Sequence, residues 1–147
     1  MSLIYLDTSA LLKRYVPERN SDAFDTWFAE RAPASISRLT LVELRSGLAR
    51  KRREGKLDAA QEQAATNEIR TDLQDGVIII HPSSDADFVG AYHMIEALPE
   101  LPLRTLDALH LAIAKALGST ELATADDVMR RAAQSLGISV AYFGNAT

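Results

Sequence analysis

The chain has 147 residues, an apolar content of 47% and a formal net charge of −4. That length and apolar share suit a single domain over residues 1–147 with one sizeable core. The absence of cysteine excludes disulfides, thiolate metal sites and cysteine nucleophiles, the mild acidity gives no global nucleic-acid signature, and no apolar run approaches the ~20 residues that span a bilayer.

The first stretch, Leu3 to Leu12, reads as a strand followed by a helix. Bulky residues 3 to 6 suit a buried strand, and Thr8 or Ser9 suits the N-cap of a helix over 9 to 16 that stops at Pro17. No basic region precedes the apolar run and Asp7 interrupts it, so no signal peptide is expected and the cytoplasm is the expected location. Ser21 can cap a helix over 22 to 31 with Phe24, Trp27 and Phe28 on one side, and residues 34 to 37 suit a second strand. A longer helix over 39 to 54 has a core stripe of Leu41, Leu44 and Leu48, with Glu43 off that stripe. Gly55 separates it from a helix over 57 to 74 that Gly76 ends, and the two read as an antiparallel pair. Residues 77 to 80 are the clearest strand. Ser83 or Ser84 opens a helix with Phe88, Ala91, Tyr92 and Ile95 on one stripe. Residues 104 to 117 form a helix apolar almost all round, which predicts burial. A strand over 121 to 124, a helix opened by Asp126 or Asp127, and a strand over 138 to 143 complete the chain. Strands alternate with helices throughout, so the expectation is an α/β fold with a mostly parallel sheet covered on both faces.

Three acids stand where a core-building sequence avoids them, and Glu43 is a weaker fourth. Asp7 ends a buried strand, Asp107 is set in the Leu- and Ala-rich helix, and Asp126 follows the strand over 121 to 124. Each has a simpler reading. Asp7 and Asp126 can cap helices, Glu43 can pair with Arg50, and Asp107 gains from the helix dipole by ~0.3–1 kcal/mol, although burying an unpaired carboxylate costs more. The parallel sheet weighs against these readings jointly, because strand ends at 7 and 124 project their acids toward one edge. Two carboxylates repel by about 4 kcal/mol at ~4 Å and an effective dielectric of ~20, so a cluster of four needs protons or cations. Oxygen-only donors favour Mg²⁺ or Mn²⁺, with Thr8, Ser9 or Thr105 placed to hold metal-bound water. Such an ion suits phosphoryl chemistry.

Four segments in order, Tyr5-Leu6-Asp7-Thr8-Ser9-Ala10-Leu11, Leu41-Val42-Glu43-Leu44, Leu106 through Ala112 and Ala123-Thr124-Ala125-Asp126, resemble the PIN-domain nucleases, and within them the VapC-like toxins of toxin–antitoxin pairs. The resemblance covers nearly the whole chain. It implies a PIN-like three-layer α/β/α fold with a central five-stranded, mostly parallel sheet, and metal-dependent endoribonuclease activity. It also implies a homodimer, inhibited by a small VapB-like antitoxin as a heterotetramer or larger assembly. Its acidic set falls on Asp7, Glu43, Asp107 and Asp126, with Ser9 and Thr105 in support; the neighbouring Asp127 leaves open which acid faces the metal.

Arg45, Arg50, Lys51 and Arg52 belong to a cluster of six of the sixteen Lys and Arg within twelve residues. They are the candidates for the RNA backbone, for contact with the antitoxin or second subunit, or for a solvated helix end. Of the three histidines, His110 follows Asp107 by one turn and reads as a packed, hydrogen-bonded residue that can touch the site; His81 and His93 read as structural or surface. A haloacid-dehalogenase-type phosphatase would need a second Asp where Ser9 stands, and a receiver-like domain would need an acidic pair and a late Lys. A PIN-fold RNA-binding or processing protein without a toxin role is the alternative that stays open.

Overall fold

The computed structural model describes residues 3–145. Five strands, β1 (Ile4–Leu6), β2 (Ala34–Ser37), β3 (Ile78–His81), β4 (Glu121–Thr124) and β5 (Ser139–Tyr142), form one sheet in the order β3-β2-β1-β4-β5. Every pairing is parallel. Seven helices connect the strands among the described residues: α1 (Thr8–Tyr15), α2 (Ser21–Ala29), α3 (Arg38–Arg53), α4 (Ala59–Gln74), α5 (Asp85–Ala97), α6 (Thr105–Ala116) and α7 (Asp127–Ser135).

Strand residues alternate between two cores because successive side chains point to opposite faces. Ile4, Leu6, Ile36, Ile78 and Ala123 pack with α1 to α4, whereas Tyr5 and Leu122 pack with α5 to α7. The three-layer expectation is met, and so is the burial of α6, whose residues from Ala108 to Ala114 are all buried. Phe24 and Phe28 are fully buried and stack at 5.4 Å, with Trp27 and Phe143 beside them. Gly76 (φ +71°) closes α4 in the left-handed conformation that a side chain resists.

One helix turns differently from its sequence pattern. In α5 only Ala91 of the expected stripe is buried, together with Met94, while Phe88, Tyr92 and Ile95 are exposed. Close approach to α6 accounts for this. A Cβ on Gly90 would lie 3.3 Å from the Ala112 Cβ, so α5 must present its small residues inward and its large ones to solvent.

A polar staple outside the sheet edge joins α1 to α4. Arg14 grips the buried Asp72 carboxylate at 2.7 and 3.0 Å, and the Tyr15 hydroxyl donates to it at 2.6 Å. Burial alone would raise the Asp72 pKa, but these donors outweigh it and hold the carboxyl below its usual range. A depressed folded pKa stabilises above the unfolded pKa and is lost as pH falls through the folded value. Asp72→Asn should therefore cost about 2 kcal/mol in urea unfolding at pH 7, and the gap to wild type should close below about pH 4. A gap constant with pH would mean that packing, not the ionised pair, carries the contribution.

Candidate active site

Strand order reverses between β1 and β4, since β2 and β3 lie on one side of β1 and β5 lies beyond β4. In open parallel sheets the crevice at such a switch point, past the strands' carboxyl ends, is where ligands sit. The Asp7 amide extends the β1–β4 ladder by donating to Ala123 O at 2.9 Å, which fixes the start of the site.

Asp7 stands at the N-cap position of α1, yet its side chain makes no capping bond. Its Oδ2 instead accepts from Ser9 Oγ at 2.7 Å and Thr124 Oγ1 at 2.8 Å. The expectation that Thr8 or Ser9 caps α1 is corrected: the helix already begins at Thr8. The Ser9 hydroxyl holds Asp7, and Thr8 donates to Glu43 Oε1 at 2.8 Å. At the other strand end Asp126 does cap α7, accepting from Met129 N at 2.8 Å through Oδ1. Its own N–H donates to Thr124 Oγ1 at 3.0 Å. The neighbouring Asp127 is taken up by Arg130.

Glu43 projects from α3 and accepts from both Thr8 and His110 Nε2 through Oε1. It does not pair with Arg50, whose partner is Glu54 at 3.9 Å. Among the described residues Asp107 has one ion pair, to Arg104 at 3.9 Å, and the Arg104 side chain is 84% exposed. His110 is buried and lies 3.7 Å from Asp7 Oδ1. It is both packed, as its sequence position suggested, and in contact with the acids.

Asp7, Glu43, Asp107 and Asp126 line one open cleft of about 380 Å³, with Thr8 and Ser9 in its wall and the exposed Arg50 and Arg104 beside them. Thr105 lies in an adjoining opening that shares Glu43 and Asp107. Burial raises the Asp107 pKa, and the charges of Asp126 and Asp7 raise it further. Burial would raise Glu43 too, but the His110 and Thr8 hydrogen bonds prevail and keep it below its ordinary value. Burial would lower His110, but Glu43 and the surrounding acids leave it raised.

Among the described residues no three acids or histidines converge into a preformed metal cage. The donor chemistry nevertheless fits a hard cation. Asp7 Oδ1, Glu43 Oε2 and Asp126 Oδ2 make no hydrogen bond among the described residues, and Asp107 has only the distant Arg104.

Of the four basic candidates, only Arg50 reaches the cleft. Lys51 is bound to Glu18 at 3.0 Å, and Arg45 and Arg52 both reach Glu62. Two residues not among the sequence candidates also shape the site: Thr124, whose fully buried hydroxyl links Asp7 to Asp126, and Tyr5, whose hydroxyl meets His110 Nδ1 at 2.7 Å. A buried Thr two residues before an acid at a strand end was the available signal for the first.

Residues 4–135 match the PIN domain family, and the chain belongs to it. Ribonuclease VapC46 of Mycobacterium tuberculosis (strain ATCC 25618 / H37Rv) is 34% identical over 142 residues, covering 95% of this chain and 97% of the relative. Ribonuclease VapC35 of Mycobacterium tuberculosis (strain CDC 1551 / Oshkosh) is 34% identical over 150 residues, covering 98% and 99%. In three dimensions the chain resembles Mycobacterium tuberculosis VapC20, a Sarcin-Ricin loop cleaving toxin, with TM-score 0.70, 16% identity and 88% and 94% of the two chains covered. It likewise resembles DNA-bound VapBC from Salmonella typhimurium, with TM-score 0.64, 17% identity and 97% and 99% covered.

The raised Asp107 pKa carries a stability sign. A carboxyl whose folded pKa lies above its unfolded one destabilises when ionised, and the penalty disappears below the unfolded pKa. Asp107→Asn should thus be more stable than wild type by roughly 1 kcal/mol at pH 7 in EDTA, with the difference shrinking as the pH is lowered. Chemical denaturation across pH measures it, and a less stable variant would show that the acids are already compensated.

Proposed function

We propose that the chain is a divalent-metal-dependent endoribonuclease, the toxin of a toxin–antitoxin pair. The observation that carries this is the cleft at the switch point, lined by four acids, Asp7 after β1, Glu43 of α3, Asp107 of α6 and Asp126 before α7. The PIN family and the relatives named as ribonucleases point the same way.

Asp7, Asp107 and Asp126, with Glu43 directly or through water, would hold Mg²⁺ or Mn²⁺. When bound, such an ion supplies a polarised phosphate, an activated water and charge for the leaving oxygen. Ser9 and Thr124 hold Asp7 through Oδ2, which leaves Oδ1, 3.7 Å from His110 Nε2, as the oxygen not hydrogen-bonded among the described residues. Glu43, kept ionised by His110 and Thr8, holds or takes a proton from the attacking water. Arg50 and Arg104 flank the acids where an RNA backbone would pass.

A VapB-like antitoxin whose tail enters the cleft, a homodimer and a cytoplasmic location belong to the same reading. VapBC and FitAB assemblies stand among the structural neighbours. The outward Phe88, Tyr92 and Ile95 suit a buried interface, and no helix among the described residues is long and apolar enough to cross a membrane.

Purified protein should cleave RNA in Mg²⁺ and stop on addition of EDTA. Asp7→Asn should keep the fold by circular dichroism and lose at least about 100-fold in cleavage; a variant that cuts at the wild-type rate would remove Asp7 from the centre. Arg50→Gln should reduce the slope of log K against log salt for single-stranded RNA by about 0.7, and an unchanged slope would deny Arg50 a phosphate contact.

A further inference from the structure

Resting on that reading of the cleft, we propose that His110 is a positioning residue for Glu43: its imidazole, held between the Tyr5 hydroxyl and Glu43 Oε1, fixes the carboxylate so that Oε2 is the oxygen presented to the reaction.

The geometry closes a ring across three elements. His110 is 1% exposed and stands one turn beyond Asp107 on α6. Its Nδ1 meets the Tyr5 hydroxyl at 2.7 Å, and its Nε2 meets Glu43 Oε1. Tyr5, fully buried on β1, donates in turn to Ser37 Oγ at 2.9 Å and lies 3.4 Å from Thr40 Oγ1. Ser37 is the N-cap of α3 and Thr40 completes its capping box. The imidazole is therefore anchored, through Tyr5, to the start of the very helix that carries Glu43.

Physical chemistry explains why an anchor is useful there. Glu has three side-chain torsions and sweeps a wide volume when unrestrained. The Thr8 hydroxyl alone rotates about its own bond and gives little direction. A planar ring held at both nitrogens and packed on all sides has no such freedom. Two donors fall on Oε1, and Oε2 is left without a hydrogen bond among the described residues. A histidine that only filled space would not need both ring nitrogens committed, one of them to an acid of the site.

Three measurements test the assignment. The imidazole ¹⁵N resonances of metal-free protein, with the His110 signals identified from a His110 variant, should shift at Nε2 on Glu43→Gln. An unmoved Nε2 signal would overturn the contact, whatever the protein does to RNA. Next, His110→Gln places an amide near the Nε2 position, whereas His110→Asn places one near Nδ1. The Gln variant should keep kcat within about threefold, and the Asn variant should lose about 10- to 100-fold with KM little changed, the range seen when an outer partner of a site ligand is removed. Equal activities for the two variants would overturn the proposal. Finally, His110→Asn introduced into Glu43→Gln should add less than about threefold, because a residue acting through Glu43 has nothing left to position; a full additional loss would sink it. If neither His110 variant folds, Tyr5→Phe, which deletes only the hydroxyl on Nδ1, takes its place in the same cycle and must show a several-fold loss that vanishes beside Glu43→Gln. A folded wild type that does not cut RNA fails the ribonuclease reading instead, and leaves the resonance measurement to decide the His110–Glu43 contact.

Discussion

Asp7 is held twice, by its amide in the β1–β4 ladder and by two hydroxyls on one carboxylate oxygen, and the remainder of the site is arranged around that hold. Without Ser9 and Thr124 the carboxylate would turn back to the free N–H groups of α1, because an acid at an N-cap position finds both donors and a favourable dipole there. The two hydroxyls take that place. Thr124 does more than hold Asp7. Its oxygen also accepts from the Asp126 amide, so the position of one acid is transmitted to the next through a single buried side chain.

The resulting cluster conflicts with stability and is retained within a core that can bear it. Neutral donors satisfy one oxygen of Asp7, the Met129 amide satisfies one of Asp126, and His110 with Thr8 satisfies one of Glu43. Asp107 has no comparable partner among the described residues, and its raised pKa records the difference. Selection for stability alone would remove such a residue; selection for a function that needs spare carboxylate oxygens would keep it. The asymmetry among the four acids is thus informative: three are oriented by the protein and one is left to be satisfied from the cleft.

Much of the architecture was legible because parallel strands buried on both faces read as continuous apolar runs, as Ile4 to Leu6 or Leu122 and Ala123 do, and because the β-branched run Ile78 to Ile80 reads as a strand even though Ile79 on the edge strand is exposed. The acids were legible for the opposite reason, as polar residues in places that burial disfavours. Sequence could not show how each acid would be restrained, since Thr124 and Tyr5 act across 117 and 105 positions of chain. Nor could it show that α5 would turn its large residues outward, because that depends on how closely α5 approaches α6. The basic cluster illustrates the same limit from the other side. Adjacent in sequence, its members spread around α3, so Glu18 and Glu62 claim Lys51, Arg45 and Arg52 while Arg50 reaches the cleft.

Helix α6 ties these strands of the structure together. Its three-residue spacing places Asp107 and His110 on one side, the first open to the cleft and the second sealed beneath it. Around them Ala108, Leu109 and Leu111 to Ala114 are committed to the core that the sheet shares with α5 and α7. A shift of α6 away from α5, such as a side chain at Gly90 would force, would move Asp107 and His110 together, and with them Glu43. Small residues where α5 meets α6 therefore serve the site as well as the packing: they set the depth at which α6 lies, and that depth sets where one acid projects and how another is held.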